Sequence, residues 1–184
     1  MSRTHVGYTR TAIALHWLAG LLIVCGFTLG LWMKDLPISP QMLRVYGYHK
    51  WIGITVFLLT VARLLWRWAY PAPPPVAMPA WQRRAAAATH VLLYVLMLAI
   101  PLSGWTYSSA TGVQVVYLGL LPLPDLVPKD KLLATVLKAV HTTLNFSLLA
   151  LVIIHSGAAF KHHFLNRDDV LQRMLPFVPR RQRN

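Results

Sequence analysis

A chain of 184 residues with 56% hydrophobic and only 12% charged residues, and a positive mean hydropathy of +0.50, does not have the composition of an ordinary water-soluble domain. Its net charge of +13 is dispersed and follows the ends of apolar runs, a pattern that speaks for membrane topology and anionic lipid and against nucleic acid. Cys25 is the only cysteine, which excludes a Cys-ligated iron–sulfur cluster and a C-x-x-C-H haem attachment.

The first apolar run, TAIALHWLAGLLIVCGFTLGLWM, predicts a membrane span over about 11–33. It follows a basic N-terminus, but it is longer than a signal-peptide core and no small-x-small site ends it, so it reads as a retained helix. Ser39-Pro40 supplies an N-cap and a first-turn proline, so the second span starts near that point and covers about 41–70. PAPPPVAMPAW (71–81) cannot continue a helix and reads as an extended link to a third span over about 86–108. A Leu- and Pro-rich loop from about 108 to 134 should lie against the membrane face before a fourth span over about 134–162. The remainder, 166–184, reads as a short amphipathic helix and a basic tail anchored at the interface. The expected architecture is an all-α integral-membrane four-helix bundle, a single domain over 1–184 with no internal repeat.

Lys and Arg counts orient the bundle. Arg3, Arg10, Arg63, Arg67, Arg83, Arg84, Lys161, Arg167, Arg173, Arg180, Arg181 and Arg183 fall on one side. Lys34, Arg44, Lys50, Lys129, Lys131 and Lys138 fall on the other. The richer side is expected to be cytoplasmic and to hold both termini, in a bacterial inner membrane. Trp17, Trp66, Trp68 and Trp81 on that side, with Trp32, Trp51 and Trp105 opposite, read as interfacial belts.

The fourth span, HTTLNFSLLALVIIH, carries a histidine at each end. Fourteen residues make nearly four helical turns, so His141 and His155 share a face about 21 Å apart along the axis. That distance is too long for one metal and demands two sites. The same step links His16 to Gly30, His49 to Arg63 and His90 to Gly104. Alternating helix directions then give one layer with His16, Arg63, His90 and His155, and another with Gly30, His49, Gly104 and His141. Two imidazoles facing two glycines suit a planar macrocycle, which needs axial nitrogens and thin flanks. Gly20 and Gly53, each four residues after a histidine, thin the helices further. The inferred cofactors are two noncovalent b-type haems, each iron held by two imidazoles. His49 with His141 is the available pair in the outer layer; in the inner layer three histidines compete for two places. Arg63 and Arg67, one turn apart, either snorkel to the surface or, for Arg63, pair with a haem propionate. An intramembrane histidine also serves as a helix-to-helix hydrogen-bond donor or in a proton path, but five at matched depth favour haem.

The segments RTAIALHW, YHKWIG, VARLLWRWAYPAPPP, THVLLYVLMLAIPLSGW and HTTLNFSLLALVIIH running into AAFKHHF resemble the bacterial cytochrome b561 family over nearly the whole chain. That pattern is similar, too, to the cytochrome b subunits of membrane hydrogenases and formate dehydrogenases. The resemblance implies His16 with His155 as axial ligands of the cytoplasmic-side haem and His49 with His141 for the periplasmic-side haem. It leaves His90 beside a haem, as a propionate or quinone neighbour or a proton relay, with exchange of roles between His90 and His16 still open. It further implies oxidation of superoxide coupled to reduction of ubiquinone, with the quinone arriving through membrane lipid. Lys50 and Lys138, nearest the outer haem, are the candidates for steering the superoxide anion. A protein partner is possible but not required. Two other readings stay open: an electron-transfer subunit linking a periplasmic redox enzyme to quinone, and a non-redox haem-binding sensor.

Overall fold

The computed structural model describes residues 7–175. Four long helices run in chain order: α1 (Arg10–Met33), α2 (Pro40–Ala69), α3 (Ala80–Thr111) and α4 (Lys131–Phe164). Each is long and apolar enough to cross a bilayer. Three begin at side-chain caps, where an oxygen accepts an otherwise unpaired N–H: Thr9 from Ala12 at 3.2 Å, Ser39 from Met42 at 3.2 Å and Asp130 from Leu133 at 2.9 Å. Pro40 stands in the first turn of α2, where its missing N–H removes no helical bond. α3 ends at Gly112, whose φ of 77° is left-handed and favours a residue without Cβ. α3 and α4 are longer than the sequence pattern sets them, while α1 and α2 match it to within a residue at each end; α3 starts six residues earlier, at Ala80 directly after Pro79.

Because successive helices are antiparallel, one end of the bundle holds the start of α1, the end of α2, the start of α3 and the end of α4. We call it the near end, and the opposite one the far end. α1 packs on α2, α2 on α3 and α3 on α4, whereas α1 and α4 approach more loosely. They meet through rings, as where Phe27 and Phe146 lie 5.7 Å apart. The packed core is small, consisting of Ala19, Val56, Leu96, Met97, Ile100 and Leu148. Many other apolar side chains point outward, among them Leu21, Val24, Leu58 and Ile153. In a bilayer those are contacts with acyl chains.

Two connections depart from the sequence reading. Residues 112–130 form an ordered cap at the far end and contain a two-stranded antiparallel hairpin, β1 (Val116–Tyr117) and β2 (Leu121–Pro122), in register Val116 with Pro122 and Tyr117 with Leu121. Trp51 and Trp105, read as belt residues, donate their indole N–H to the carbonyls of Val116 (2.7 Å) and Pro124 (3.0 Å) in this cap. At the near end the expected amphipathic helix is replaced, within the described part of 166–184, by turns and one 3-10 turn at Gln172–Met174. The Asp168 carboxylate holds His162 Nδ1 at 2.5 Å and accepts from Val170 N–H, which diverts the backbone from helix just after α4. Trp17 then donates to the Met174 carbonyl (2.6 Å) and Arg173 to that of Pro74 (2.8 Å), folding the segment across α1 and the proline-rich link. Residues 176–184, with the basic tail, lie outside the described residues.

Candidate functional site

The fourteen-residue steps put their side chains where helix geometry requires. In the far layer the rings of His49 (α2) and His141 (α4) face each other with centroids 6.2 Å apart. In the near layer His16 (α1) and His155 (α4) repeat that separation, 6.2 Å. Imidazole nitrogens bind transition metals at about 2.0 to 2.1 Å and lie about 1.1 Å from their ring centroid, so two imidazoles across one iron have centroids about 6.3 Å apart. Both pairs meet that spacing. His90 (α3) is 5.5 Å from His155, closer than two ligands of one metal require.

In the far layer the neighbouring helices also orient the rings. Nδ1 of His49 is 2.9 Å from the Gly26 carbonyl oxygen, and Nδ1 of His141 is 3.1 Å from that of Ile100. A carbonyl oxygen only accepts, so each ring carries its proton on Nδ1 and leaves the Nε2 lone pair for a metal. Ser103 joins the second contact, its hydroxyl donating to Ile100 O (2.7 Å) while lying 3.0 Å from His141 Nδ1. His16 differs: its Nδ1 is buried with no hydrogen-bond partner among the described residues.

The glycines explain how the rings reach those carbonyls. A Cβ on Gly30 would stand 3.2 Å from Cε1 of His49, and one on Gly104 2.9 Å from Cε1 of His141. In each case the accepting carbonyl belongs to the residue four positions earlier, Gly26 or Ile100. A helical carbonyl at i points toward the N–H of i+4, so removing the side chain at i+4 opens the approach for a second donor. The same device therefore serves both helical hairpins, α1–α2 and α3–α4, although no repeat is visible in the sequence as a whole. Sequence reasoning found Gly30 and Gly104 but missed the Gly26 and Ile100 carbonyls and Ser103. The four-residue spacing of Gly26 and Gly30 was the one available signal.

Gly20 and Gly53 meet nothing within 4 Å at the Cβ position, so they leave open space and do not contact a neighbouring helix. Gly53 lines a cavity of about 170 Å³ beside the far pair, together with Gly26, Phe27, His49, His141 and Asn145. The open flank, the matched ring separations, the free Nε2 atoms and the partnerless His16 nitrogen all fit b-type haem held by histidine pairs.

Around the near layer, the Arg63 guanidinium lies 5.4 Å from the Tyr94 ring centroid in a cation–π contact. The ion pairs among the described residues are His162–Asp168 and Arg173–Asp169, so Arg63 has no carboxylate there. At the far end Lys50 is directed to the cap, its Nζ 3.4 Å from the Val113 carbonyl. Lys138 is exposed on α4, three residues before His141.

A four-span bundle with paired imidazoles at two depths has the form of a membrane-bound b-type electron-transfer cytochrome. A model of the family described as prokaryotic cytochrome b561 matches residues 7–177, and the chain belongs to that family, whose members bind b-type haem and transfer electrons in membranes. It is 36% identical over 172 residues to cytochrome b561 homolog 2 of Escherichia coli, covering 91% of this chain and 90% of the relative. Cytochrome b561 homolog 1 of the same organism is 31% identical over 176 residues, covering 92% and 97%. The probable superoxide oxidase CybB of Yersinia pestis is 28% identical over 180 residues, covering 94% and 97%.

Proposed function

We propose that the chain holds two b-type haems, one between His16 and His155 and one between His49 and His141, and passes electrons from superoxide to ubiquinone. The observation that carries the two-haem reading is the equal 6.2 Å separation of the two histidine pairs. When bound between these histidine pairs, haem would supply one-electron transfer.

The protein's own groups have distinct tasks in this reading. Gly26 and Ile100 hold the far rings in one tautomer through their carbonyls. Arg63, with no carboxylate partner among the described residues, offers its guanidinium to a propionate, and His90 stands beside the near pair as a hydrogen-bond partner of a propionate or of quinone. The near end faces the cytoplasm and the far end the periplasm, by the distribution of Lys and Arg. Lys138, with Lys50 to a lesser degree because of its bond to Val113, draws a small anion to the far end. Two superoxide anions each give up one electron and leave as dioxygen, while ubiquinone takes both electrons and two protons to become the quinol.

Superoxide as donor is supported by the name of the Yersinia pestis relative; the two Escherichia coli relatives at higher identity carry only the cytochrome b561 name. The test is anaerobic stopped-flow mixing of the purified haem protein with superoxide and a water-soluble quinone. Reduction of the b-type absorbance followed by quinol formation is expected. A protein reduced by quinol yet inert to superoxide would leave the membrane electron transfer standing and remove the substrate.

A further inference from the structure

The cap between α3 and α4 is unusual in composition for a connection outside a membrane. From Val113 to Pro124 it contains no charged residue, and its only polar side chains are Gln114 and Tyr117. Leu118, Leu120 and Leu121 at the hairpin tip are 52%, 85% and 57% exposed. The turn is built on two residues with positive φ, Leu118 (54°) and Gly119 (73°). Asn, Asp or Gly ordinarily fills such positions in water, and a branched side chain there is strained. A leucine at that place sacrifices backbone preference to present an apolar group.

The hairpin also reaches below the far rim. α2 enters from the far end, and its uncharged run between Lys50 and Arg63 starts at Trp51. The hairpin is fixed inside this run, with Trp51 Nε1 on the Val116 carbonyl (2.7 Å) and the Tyr117 hydroxyl 3.0 Å from Thr55 Oγ1. Thr55 is six residues beyond His49, hence about 9 Å further along the helix toward the bilayer centre. Val115 is buried against the bundle at 3% exposure.

Non-helical backbone at that depth needs partners, because hydrocarbon supplies none. The bundle and the cap provide them. Ser108 Oγ and Lys50 Nζ donate to Val113 O, Trp105 Nε1 to Pro124 O and Gln114 Nε2 to Leu123 O, while Ser109 Oγ accepts from Leu126 N–H. Polar side chains thus hold the backbone flanking the hairpin, while within it Trp51, Gly119 N–H and Leu120 N–H supply donors to Val116 and Tyr117 and the leucines face outward.

We infer that the hairpin around Val116–Pro122 is a re-entrant element seated in the far leaflet of the bilayer, with Leu118, Leu120 and Leu121 against lipid acyl chains. It extends the lipid-facing surface of α2 and α3 and does not stand in water as a loop. This inference is independent of haem content. The experiment is nitroxide labelling of Leu120→Cys and, separately, Leu121→Cys in a Cys25→Ser background, reconstituted in liposomes. Collision with dissolved oxygen is then compared with collision with a water-soluble nickel chelate. Leu58→Cys, on an exposed mid-span side chain, and Asp35→Cys, in the α1–α2 connection, provide the lipid and aqueous references. Both hairpin labels are expected to be several-fold less accessible to the chelate than the label at 35 and to match the label at 58 in favouring oxygen. Aqueous access at either hairpin position equal to that at 35 overturns the proposal.

Discussion

Gly104 and Gly30 occupy equivalent places beside histidine rings, yet they do not tolerate a methyl group equally. At Gly104 the added Cβ would come within 2.9 Å of His141 Cε1, closer than real Cβ contacts, while at Gly30 the approach to His49 is 3.2 Å. Gly104→Ala should therefore push His141 off the Ile100 carbonyl, with an overpacking penalty of about 1 to 3 kcal/mol, and reduce haem content. Gly30→Ala should cause a smaller loss; equal haem content and melting temperature in the two variants would contradict this ranking. At the near layer, ring spacing separates two histidines that sequence left in competition. His16→Ala should lose one haem, whereas His90→Ala should keep two and change only the rate of quinone reduction. A pyridine haemochrome assay on each variant reads the difference, and one haem in His90→Ala would reverse the assignment.

Helix ends give a separate test at the scale of elements. Asp130 caps α4 through Leu133 N–H, and its own backbone N–H binds the Ala110 carbonyl, tying α4 to the end of α3. Asp130→Ala removes only the side-chain cap, so a loss of about 1 kcal/mol is expected, seen as a lower melting temperature with an unchanged haem spectrum. What was legible in the sequence at this scale is what regular helices dictate. Fourteen-residue steps fix faces and depths, so the positions of His16, His49, His141 and His155 followed from spacing, as did the start of α2 at Ser39-Pro40. The connections were not legible, for a physical reason. Trp51 and Thr55 are distant in the chain from Val116 and Tyr117, and no local pattern signals the bonds that join them. Likewise, the turn after α4 follows from a local Asp168 contact with His162 that competes with helix, which amphipathic periodicity does not register.

Across the whole molecule, the loose contact between α1 and α4 and the small packed core leave the bundle's stability dependent on what fills the space between histidines. Removal of haem should consequently lower the melting temperature of the whole bundle and not just alter one helix. Charge acts at this scale as well. Lys138 is exposed while Lys50 is bound to the cap, so Lys138→Gln should weaken the ionic-strength dependence of superoxide consumption more than Lys50→Gln. Stopped-flow rates over a salt series, identical for both variants and the parent chain, would remove the steering role. The central claim is that this family member has two bis-histidine haem sites, and haem quantification per chain with reduced-minus-oxidised spectra tests it most directly. Two b-type haems per chain are predicted, falling to one in His49→Ala with the remaining spectrum intact; a single haem in the parent protein would contradict the account.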